Sequence, residues 1–284
     1  MRKYQFLDRR VPIEDGNIAL VQDLSKCKNC SLCRKACAVD MGVFDYYDLT
    51  TNGDVPICIH CGQCASICPF DSINERSEID EVKAAIADPN KIVVFQTAPA
   101  VRVGLGEEFG MEAGTFVEGK MVSALRKLGG DYVLDTNFGA DMTIMEEASE
   151  LIERVLHGDG TLPQFTSCCP AWVKFAETFY PEFLPNLSTA KSPIAMQAPT
   201  QKTYFAEKMG IDAKQIVAVC VTPCTAKKFE IRREEMNASA EYWNKPDMRD
   251  TDYCITTREL AKWIRAEEIS FDELEDSTFD PLMG

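Results

Sequence analysis

The spacing of apolar and polar residues predicts an alternation of strands and helices from residue 91 onward. Strand candidates lie at residues 91–98, 132–136, 163–167, 215–221 and 253–256, and the continuously apolar run at 216–221 is typical of a buried parallel strand. Helical spacing fills the intervals, at residues 116–128, 141–156, 171–179, 191–209 and 258–266. Strands that alternate with helices predict α/β lobes, in which parallel sheets are flanked by helices.

The pattern is different upstream of residue 91. Residues 27–74 are compact and rich in cysteine, with little apolar sequence from which to build a core. Ser77 and Asp80 have the spacing of a capping box, as Thr256 and Glu259 do further on, so we expect a helix after the cysteine-rich part. We therefore predict four segments, which are a lead-in at 1–26, a cysteine-rich domain at 27–74, a linker helix at 75–90 and an α/β domain at 91–284.

Composition and charge narrow the possible functions. The chain has 30 Lys+Arg against 45 Asp+Glu, a net charge of −15, which is unfavourable for a protein that binds nucleic acid by neutralising phosphates. No apolar run approaches the length of a membrane span, and no secretory signal follows the start. We therefore expect a cytoplasmic protein with no membrane span and no nucleic-acid partner. In that compartment its 13 cysteines stay reduced and need a use other than disulfides.

Eight of the cysteines form a repeated motif, Cys27-x2-Cys30-x2-Cys33-x3-Cys37 and Cys58-x2-Cys61-x2-Cys64-x3-Cys68. This is the bacterial pattern for two [4Fe–4S] clusters, in which the fourth cysteine of each run ligates the other cluster. We assign one cluster to Cys27, Cys30, Cys33 and Cys68, and the other to Cys58, Cys61, Cys64 and Cys37. Zinc is the alternative, but it usually pairs two Cys-x2-Cys units in a tetrahedral site. We expect a small ferredoxin-like α+β domain that passes single electrons, with the chemistry elsewhere.

Two further cysteine motifs follow predicted strands. Thr166-Ser167-Cys168-Cys169-Pro170 places two adjacent thiols before a helix, and Pro223-Cys224-Thr225-Ala226-Lys227-Lys228 places a third thiol before two lysines. Ligands bind beyond the carboxyl ends of strands in open α/β sheets. Free cysteine is also among the most buried residue types, and paired lysines are typical of a solvated face. The residues alone leave a functional site and an inert core equally open.

Behind the two-cluster motif, these sequences resemble an [FeFe]-hydrogenase. Ala98-Pro99-Ala100-Val101-Arg102 and Asp135-Thr136-Asn137-Phe138 agree with that family, so the resemblance covers the chain from about residue 27 to residue 284. It implies reversible reduction of protons to H2 at an H-cluster. That cofactor is a [4Fe–4S] cubane joined through one cysteine to a di-iron unit with CO, cyanide and a bridging dithiolate. The implied partners are H2 and protons, a ferredoxin or similar electron carrier, and the proteins that mature the di-iron cluster.

The resemblance also implies roles for single residues. Cys169 and Cys224 match cubane ligands, and Cys168 matches the thiol that exchanges protons with the di-iron unit. Lys227 matches a lysine that donates a charge-assisted hydrogen bond to a cyanide ligand, and the segment facing the di-iron unit matches Pro99 and Ala100. A proton path matches Glu147, Glu150, Arg154 and Ser188. Without the resemblance, this charged helix is typical of a solvated, salt-bridged face.

Two departures from the family are visible. Ile194 and Thr222 stand where better-known members often carry glutamine and methionine near the di-iron unit. The family also needs two cysteines in a later Cys-x3-Cys motif, one of which bridges the cubane and the di-iron unit, and the sequence reaches Gly284 before such a motif. We therefore expect either a fragment or a chain to which a second chain supplies the C-terminal part. No remaining cysteine substitutes cleanly, because Cys220 and Cys254 are predicted core residues.

Three functions remain open on the sequence. The first is an [FeFe]-hydrogenase that is inactive as this chain alone, the second is a non-catalytic iron–sulfur electron carrier, and the third is a hydrogenase-like sensory or assembly protein. The retained Cys168, Lys227 and glutamate pair favour the first, because a scaffold without turnover has no use for a proton relay. His60 and His157 have no supporting spacing, so we expect both at the surface or in turns. A candidate docking patch, with simple solvation as the alternative, comprises Arg2, Lys3, Arg9, Arg10, Lys26, Lys28, Arg34 and Lys35.

Overall fold

A computed structural model describes residues 9–47, 49–50 and 52–283 of the chain. Arg2 and Lys3 of the candidate docking patch lie outside these residues. The chain divides into two compact units. The first unit contains the described residues up to Arg76 together with Cys169–Pro185 and Cys224–Phe229, and the second contains Ser77–Cys168, Asn186–Pro223 and the rest of the chain from Glu230. All eight repeat cysteines therefore share a unit with Cys169 and Cys224.

Within the described residues, the strands are β1 (Leu20–Gln22), β2 (Ile73–Glu75), β3 (Ile92–Thr97), β4 (Tyr132–Asp135), β5 (Ile216–Thr222) and β6 (Tyr253–Thr256). The α-helices there are α1 (Leu32–Lys35), α2 (Gln63–Ser66), α3 (Ile79–Ala87), α4 (Val101–Gly104), α5 (Glu118–Lys127), α6 (Asn137–Leu156), α7 (Pro170–Phe179), α8 (Pro193–Thr200), α9 (Ala206–Met209), α10 (Lys227–Glu230), α11 (Ala238–Trp243) and α12 (Thr257–Ala266). Short 3-10 helices lie at Gly106–Phe109, Pro181–Asn186 and Phe271–Glu273, and π-helical turns lie at Ala36–Asp40 and Gln201–Phe205. None of these helices is long and apolar enough to cross a membrane.

The first unit is a small α+β fold built around cysteine. β1 and β2 form an antiparallel ribbon in which Leu20 lies opposite Glu75. Its core joins a few aliphatic side chains to the buried thiols of Cys33 and Cys64, so sulfur supplies packing that the sparse apolar sequence does not. Helix α7 is packed in a second small cluster, through Ala171, against Val43. The predicted ferredoxin-like α+β domain is confirmed in this unit.

The second unit holds a four-stranded parallel sheet in the order β4-β3-β5-β6. β5 is buried at every position. This is expected of a central strand whose sequence is apolar throughout, because both of its faces are covered. Alternate residues of β3 contribute to different cores, since Phe95 packs among side chains on one face and Val94 among those on the other. This sheet, with helices packed on both faces, confirms the predicted α/β fold class.

Several predicted elements differ from the structure. Residues 163–167 do not form a strand, because their pairing stops at a single parallel bridge between Phe165 and Leu187, and proline at 163 has no backbone N–H to extend it. The linker helix is shorter than 75–90, because Glu75 is held in β2 and the helix begins at Ile79. The predicted Ser77 capping box is wrong, since the N-cap is Glu78 without a side-chain cap. Helix α3 ends one residue before Asp88, which precedes a proline and is extended.

Other local predictions are confirmed. The Thr256 capping box is present, with the Glu259 amide donating to Thr256 Oγ1 at 3.1 Å and the Thr256 amide donating to Glu259 Oε2 at 2.7 Å. Cys220 and Cys254 are fully buried in adjacent strands, as expected of core residues. Of the two positions expected for His60, the surface is wrong, because this side chain is only 3% exposed, while its backbone does have the positive φ of a left-handed turn.

Candidate metal centres and proton path

The four cysteines assigned to the first cluster line one cavity, together with Arg10 and Lys28. Cys30 is exposed and Cys33 is buried, so one edge of this site faces solvent. Backbone amides point at the sulfurs, with Val11 N donating to Cys33 Sγ and Asn29 N to Cys27 Sγ, each at 3.4 Å. Such N–H donors stabilise the negative charge of cluster thiolates.

The four cysteines assigned to the second cluster line a separate cavity. This site is more enclosed, and burial raises the pKa of the Cys37 thiol to about 11 and that of the Cys58 thiol to about 12. Metal binding must therefore displace protons from these thiols. Eight cysteines divided four and four between two cavities suit two cubanes, whereas a zinc site would draw four sulfurs to about 2.3 Å around a single ion.

The two sites share a backbone design. In each motif the residues two and four positions after the first cysteine have positive φ, namely Asn29, Ser31, His60 and Gly62. The left-handed turns curl the chain so that three thiols converge while the fourth cysteine continues to the other cavity. The repeat in sequence is therefore also a repeat in backbone conformation.

Cys169 and Cys224 lie beside the second cavity. Cys224 packs in the same small cluster as Cys37 and Cys61. Burial raises the pKa of the Cys61 and Cys224 thiols, and the negative charge of Cys169 adds to the rise in both. Lys227 is close enough to Cys224 to offset part of it. The structure thus brings both predicted cubane ligands and a buried ammonium next to one of the predicted relay sites.

The proton-path residues of the second unit form a hydrogen-bonded series. Ser188 Oγ and Arg154 Nη2 each donate to Glu150 at 2.6 Å. Ser167 Oγ donates to the Ser188 carbonyl at 2.9 Å, and Cys168, the next residue in the chain, is exposed. Burial alone raises the pKa of Glu150, but the hydrogen bonds from Ser188 and Arg154 outweigh it and hold the pKa below its usual value.

Glu147 is not joined to this series. Its Oε1 is buried and has no hydrogen-bond partner among the residues that the structure describes. Since Glu147 and Glu150 lie three residues apart on α6, they share a helix face. The structure therefore brings Glu150, Arg154 and Ser188 together and leaves Glu147 as a neighbour with an unused acceptor.

Comparison with known proteins decides the family. Residues 91–284 match the family model of the iron only hydrogenase large subunit, C-terminal domain, and residues 19–69 match the 4Fe-4S dicluster domain. The chain belongs to the iron-only hydrogenase family. The two matches confirm the cofactor class, [4Fe–4S] clusters and an H-cluster, and decide against zinc, whereas the residues that hold these groups stay a prediction.

Individual relatives of this hydrogenase-family chain agree. It is 44% identical over 289 residues to iron hydrogenase 1 of Clostridium pasteurianum, covering 98% of the chain and 49% of that protein. It is 48% identical over 210 residues to the periplasmic [Fe] hydrogenase large subunit of Nitratidesulfovibrio vulgaris, covering 74% of the chain and 48% of that protein. A solved apo [FeFe]-hydrogenase from Chlamydomonas reinhardtii superposes with a TM-score of 0.68 at 41% identity, over 74% of this chain and 52% of that one. The chain spans about half the length of the curated relatives it matches.

The remaining predicted site residues of this hydrogenase-family chain are also placed. Pro99 and Ala100 follow β3 as an exposed turn before α4. Ile194 is buried and its carbonyl accepts from Gln96 Nε2 at 3.3 Å. Thr222 is the buried last residue of β5.

Sequence reasoning missed the environment of His60 in this hydrogenase-family chain. Its Nε2 lies 2.7 Å from Lys174 Nζ, its Nδ1 lies 3.3 Å from Asn17 Oδ1, and its ring stacks on Phe229 at 4.8 Å. Burial and the nearby Lys174 charge lower the pKa of His60 to about 3. The one sequence feature that could have indicated a buried position for His60 is its place between two cluster cysteines, Cys58 and Cys61. Ser167 was missed as well, although it precedes the Cys168-Cys169 doublet.

Proposed function

We propose that this chain carries the electron relay and the proton path of an [FeFe]-hydrogenase, which interconverts protons and H2. The observation that carries the proposal is the hydrogen-bonded group of Arg154, Glu150 and the Ser188 hydroxyl, whose backbone at Ser188 accepts from Ser167, the residue before Cys168. A scaffold that only stored clusters would have no use for a carboxylate, a hydroxyl and a thiol in this order. The four segments predicted from the sequence remain our proposal for how the chain is organised.

The electron relay is supported by the graded exposure of the two cavities. Electrons enter at the site of Cys27, Cys30, Cys33 and Cys68, because its edge faces solvent. They leave through the enclosed site, since Cys61 lies near both Cys169 and Cys224. Each cluster passes one electron at a time.

At the catalytic centre, the H-cluster supplies the reversible reduction of protons to H2 when it is bound. Cys169 and Cys224 would hold the cubane, and Lys227 would donate a charge-assisted hydrogen bond to an anionic ligand of the di-iron unit such as cyanide. Cys168 gives and takes the proton at its Sγ. Glu150 and Ser188 would carry protons towards Cys168, and the family resemblance assigns Pro99 and Ala100 to the segment that would face the di-iron unit.

The cubane also needs the Cys-x3-Cys segment of the family, and we propose that it is supplied in the same polypeptide or by a second chain. Helix α6 supports this, because it exposes the large apolar side chains of Ile144, Met145, Leu151, Ile152, Val155 and Leu156. A run of this kind marks an interaction surface. The electron carrier is a ferredoxin or similar protein, di-iron maturation proteins load the site, and we place the protein in the cytoplasm.

A second candidate has one observation in its favour. The chain is 30% identical over 235 residues to cytosolic iron–sulfur assembly component 3 of Bos taurus, covering 79% of the chain and 48% of that protein. A role in assembly would use the clusters without the proton path. It would therefore leave the function insensitive to changes at Cys168.

The test is H2 evolution from reduced viologen after anaerobic expression with di-iron maturation. It compares the chain alone with the chain joined to, or mixed with, a segment that carries Cys-x3-Cys. We expect turnover only in the second case. Cys168→Ala then abolishes turnover with the iron content retained, whereas Cys169→Ala loses iron. A fully metallated, completed protein without activity would sink the hydrogenase proposal, and equal iron loss in both variants would overturn the two assigned roles.

A further inference from the structure

The charged residues around the second cysteine motif are all of one sign. Residues 40–75, which contain the whole motif, carry six Asp or Glu and no Lys or Arg. A cluster held by these thiols gains one negative charge each time it is reduced, and a charge is more costly in a buried site than in water. This stretch of chain supplies no cation to offset that charge, so a compensating cation has to come from another segment.

Lys174 of helix α7 brings a cation to this part of the chain from a distant segment. Its Nζ lies 2.7 Å from Nε2 of His60 and 4.6 Å from the centroid of the Phe229 ring, on which His60 also stacks. The face of an aromatic ring attracts an ammonium group. Lys174 is half-buried, so salt and water screen its charge less than that of an exposed lysine.

The contacts of His60 identify the ring nitrogen that carries the hydrogen. Asn17 Oδ1 accepts from the amides of Ala19 and Leu20 at 2.9 Å each, so the atom that lies 3.3 Å from His60 Nδ1 is an acceptor. Nδ1 therefore carries the hydrogen, and Nε2 offers its lone pair to the ammonium of Lys174. The ring in this form is neutral, and the positive charge stays on the lysine.

His60 also lies against the second cluster site. Its amide donates to Cys58 Sγ at 3.3 Å, and its carbonyl accepts from Thr225 Oγ1 at 2.6 Å. One ring nitrogen of His60, the Cys58 sulfur and a carboxylate oxygen of Glu14 lie within 4.8 Å of one another. One imidazole ring and two short contacts thus separate the Lys174 ammonium from a cluster thiolate, and the acid closest to that thiolate acts against the lysine.

We propose that Lys174, held in place by His60, raises the reduction potential of the second [4Fe–4S] cluster and so favours an electron at the site beside Cys169 and Cys224. A unit charge about 10 Å away changes the equilibrium constant for uptake of one electron by about tenfold at an effective dielectric constant of about 20. The inference rests on the proposed function only in placing an electron-relay cluster at the second site.

The test uses the full chain with both [4Fe–4S] clusters reconstituted, and it needs neither an H-cluster nor H2 turnover. A potentiometric titration with dithionite, followed by EPR, measures the potential at which each cluster takes up one electron and passes from the 2+ to the 1+ state. The signal that Cys27→Ser removes belongs to the first cluster, and the signal that remains belongs to the second.

Lys174→Met removes the charge, whereas Lys174→Gln removes the charge and keeps an N–H donor for His60. We expect each variant to lower the equilibrium constant for reduction of the second cluster by about tenfold, which is about 59 mV for one electron. Lys174→Arg keeps the charge and should stay within about twofold of the parent. Lys26→Met makes the same change in net charge at an exposed position beside the first motif, so it should move the second cluster by less than about twofold.

An unchanged second potential in Lys174→Met would overturn the proposal. So would a shift in Lys174→Met that is absent from Lys174→Gln, because the hydrogen bond rather than the charge would then be the cause. An equal shift in Lys26→Met would overturn it as well, since net charge alone would explain the result. If Lys174→Met does not retain its clusters, Lys174→Gln decides in its place. A completed enzyme that shows these shifts but no H2 turnover would count only against the proposed function.

Discussion

Glu150→Gln tests the proton path most directly, because the structure fixes what the change removes. The carboxylate accepts from Arg154 Nη2 and Ser188 Oγ at 2.6 Å each, and from the Thr189 amide at 3.0 Å. Arg154 is only 6% exposed, and its other contacts include the carbonyl oxygens of Thr161 and Leu187, which carry no full charge. The change therefore removes the carboxylate that lies 2.6 Å from a buried guanidinium.

Removing one partner of a fully buried ion pair costs about 3–5 kcal/mol. Glutamine keeps one acceptor oxygen, so we expect Glu150→Gln to lower the free energy of unfolding by about 2 kcal/mol and Glu150→Ala by about 3 kcal/mol. Glu153 is the matched control on the same helix, since its side chain is 57% exposed and lies 3.7 Å from an equally exposed His157. Glu153→Gln should cost about 0.5 kcal/mol or less.

The effect of Glu150→Gln on the free energy of unfolding should depend on pH in a direction that can be measured. Because the folded pKa of Glu150 is held below its ordinary value of 4.5, its contribution to stability is present above that value and is lost as pH falls through the folded pKa. The cost of Glu150→Gln should therefore be constant near neutral pH and shrink below about pH 4.5. Urea unfolding of parent and variant at matched pH measures it.

The activity of the completed enzyme separates a proton relay from a purely structural role. Glu150→Gln should lower H2 evolution by about a hundredfold or more with unchanged iron content, as expected for loss of a proton-transfer group. If Glu150→Gln costs no more stability than Glu153→Gln, the ion-pair argument is wrong. If stability falls but H2 evolution keeps its parent rate, Glu150 is a structural residue and the proton path must run elsewhere.

Three further outcomes follow from the packing. Cys68→Ser should remove the same EPR signal as Cys27→Ser and leave the signal of the other cluster, because the fourth cysteine of each motif serves the opposite cavity; loss of different signals would exclude the crossing. Gly62→Ala should destabilise by about 2 kcal/mol more than Gly53→Ala, since both have positive φ but only the Cβ at 62 would meet a threonine hydroxyl oxygen at 2.5 Å; equal melting temperatures would contradict the steric argument. Cys220→Ala should keep the full iron content in an iron assay, as a core residue must.

The sequence predicted the parts of the fold whose burial is complete. β3 and β5 are apolar at nearly every position, so a central strand was the one environment available to them. Residues 163–167 are mostly polar apart from Phe165, and their backbone forms only one bridge, between Phe165 and Leu187. Local composition cannot show whether a distant segment arrives in register. The predicted start of the helix after the cysteine-rich part was wrong for a related reason. Glu75 pairs with Leu20 in a strand, so it cannot belong to the helix.

In the candidate site, too, the local contacts could be predicted from the sequence and the contacts between distant residues could not. Which cysteines share a cavity follows from spacing, because the three close thiols of each motif are brought together by local turns. The bond between Ser188 and Glu150 joins residues 38 apart, and Lys174 reaches His60 from 114 residues away. No periodicity encodes such contacts, so the residues alone indicated a solvated helix face, and only the family resemblance pointed to a relay.

The Cys168-Cys169 doublet shows why two adjacent thiols can have different roles. Cys169 is the N-cap of α7 and has an extended backbone, with φ −98° and ψ 104°, and successive side chains of an extended chain point in opposite directions. Pro170 then begins the helix, where its missing N–H is no loss, and this fixes the turn. Cys169 can therefore belong with the cysteines of the first unit while Cys168, on the other side of the chain, directly follows Ser167 of the second. A single peptide bond thus joins the proposed electron path to the proposed proton path, and a residue inserted between the two cysteines should uncouple them without removing either thiol.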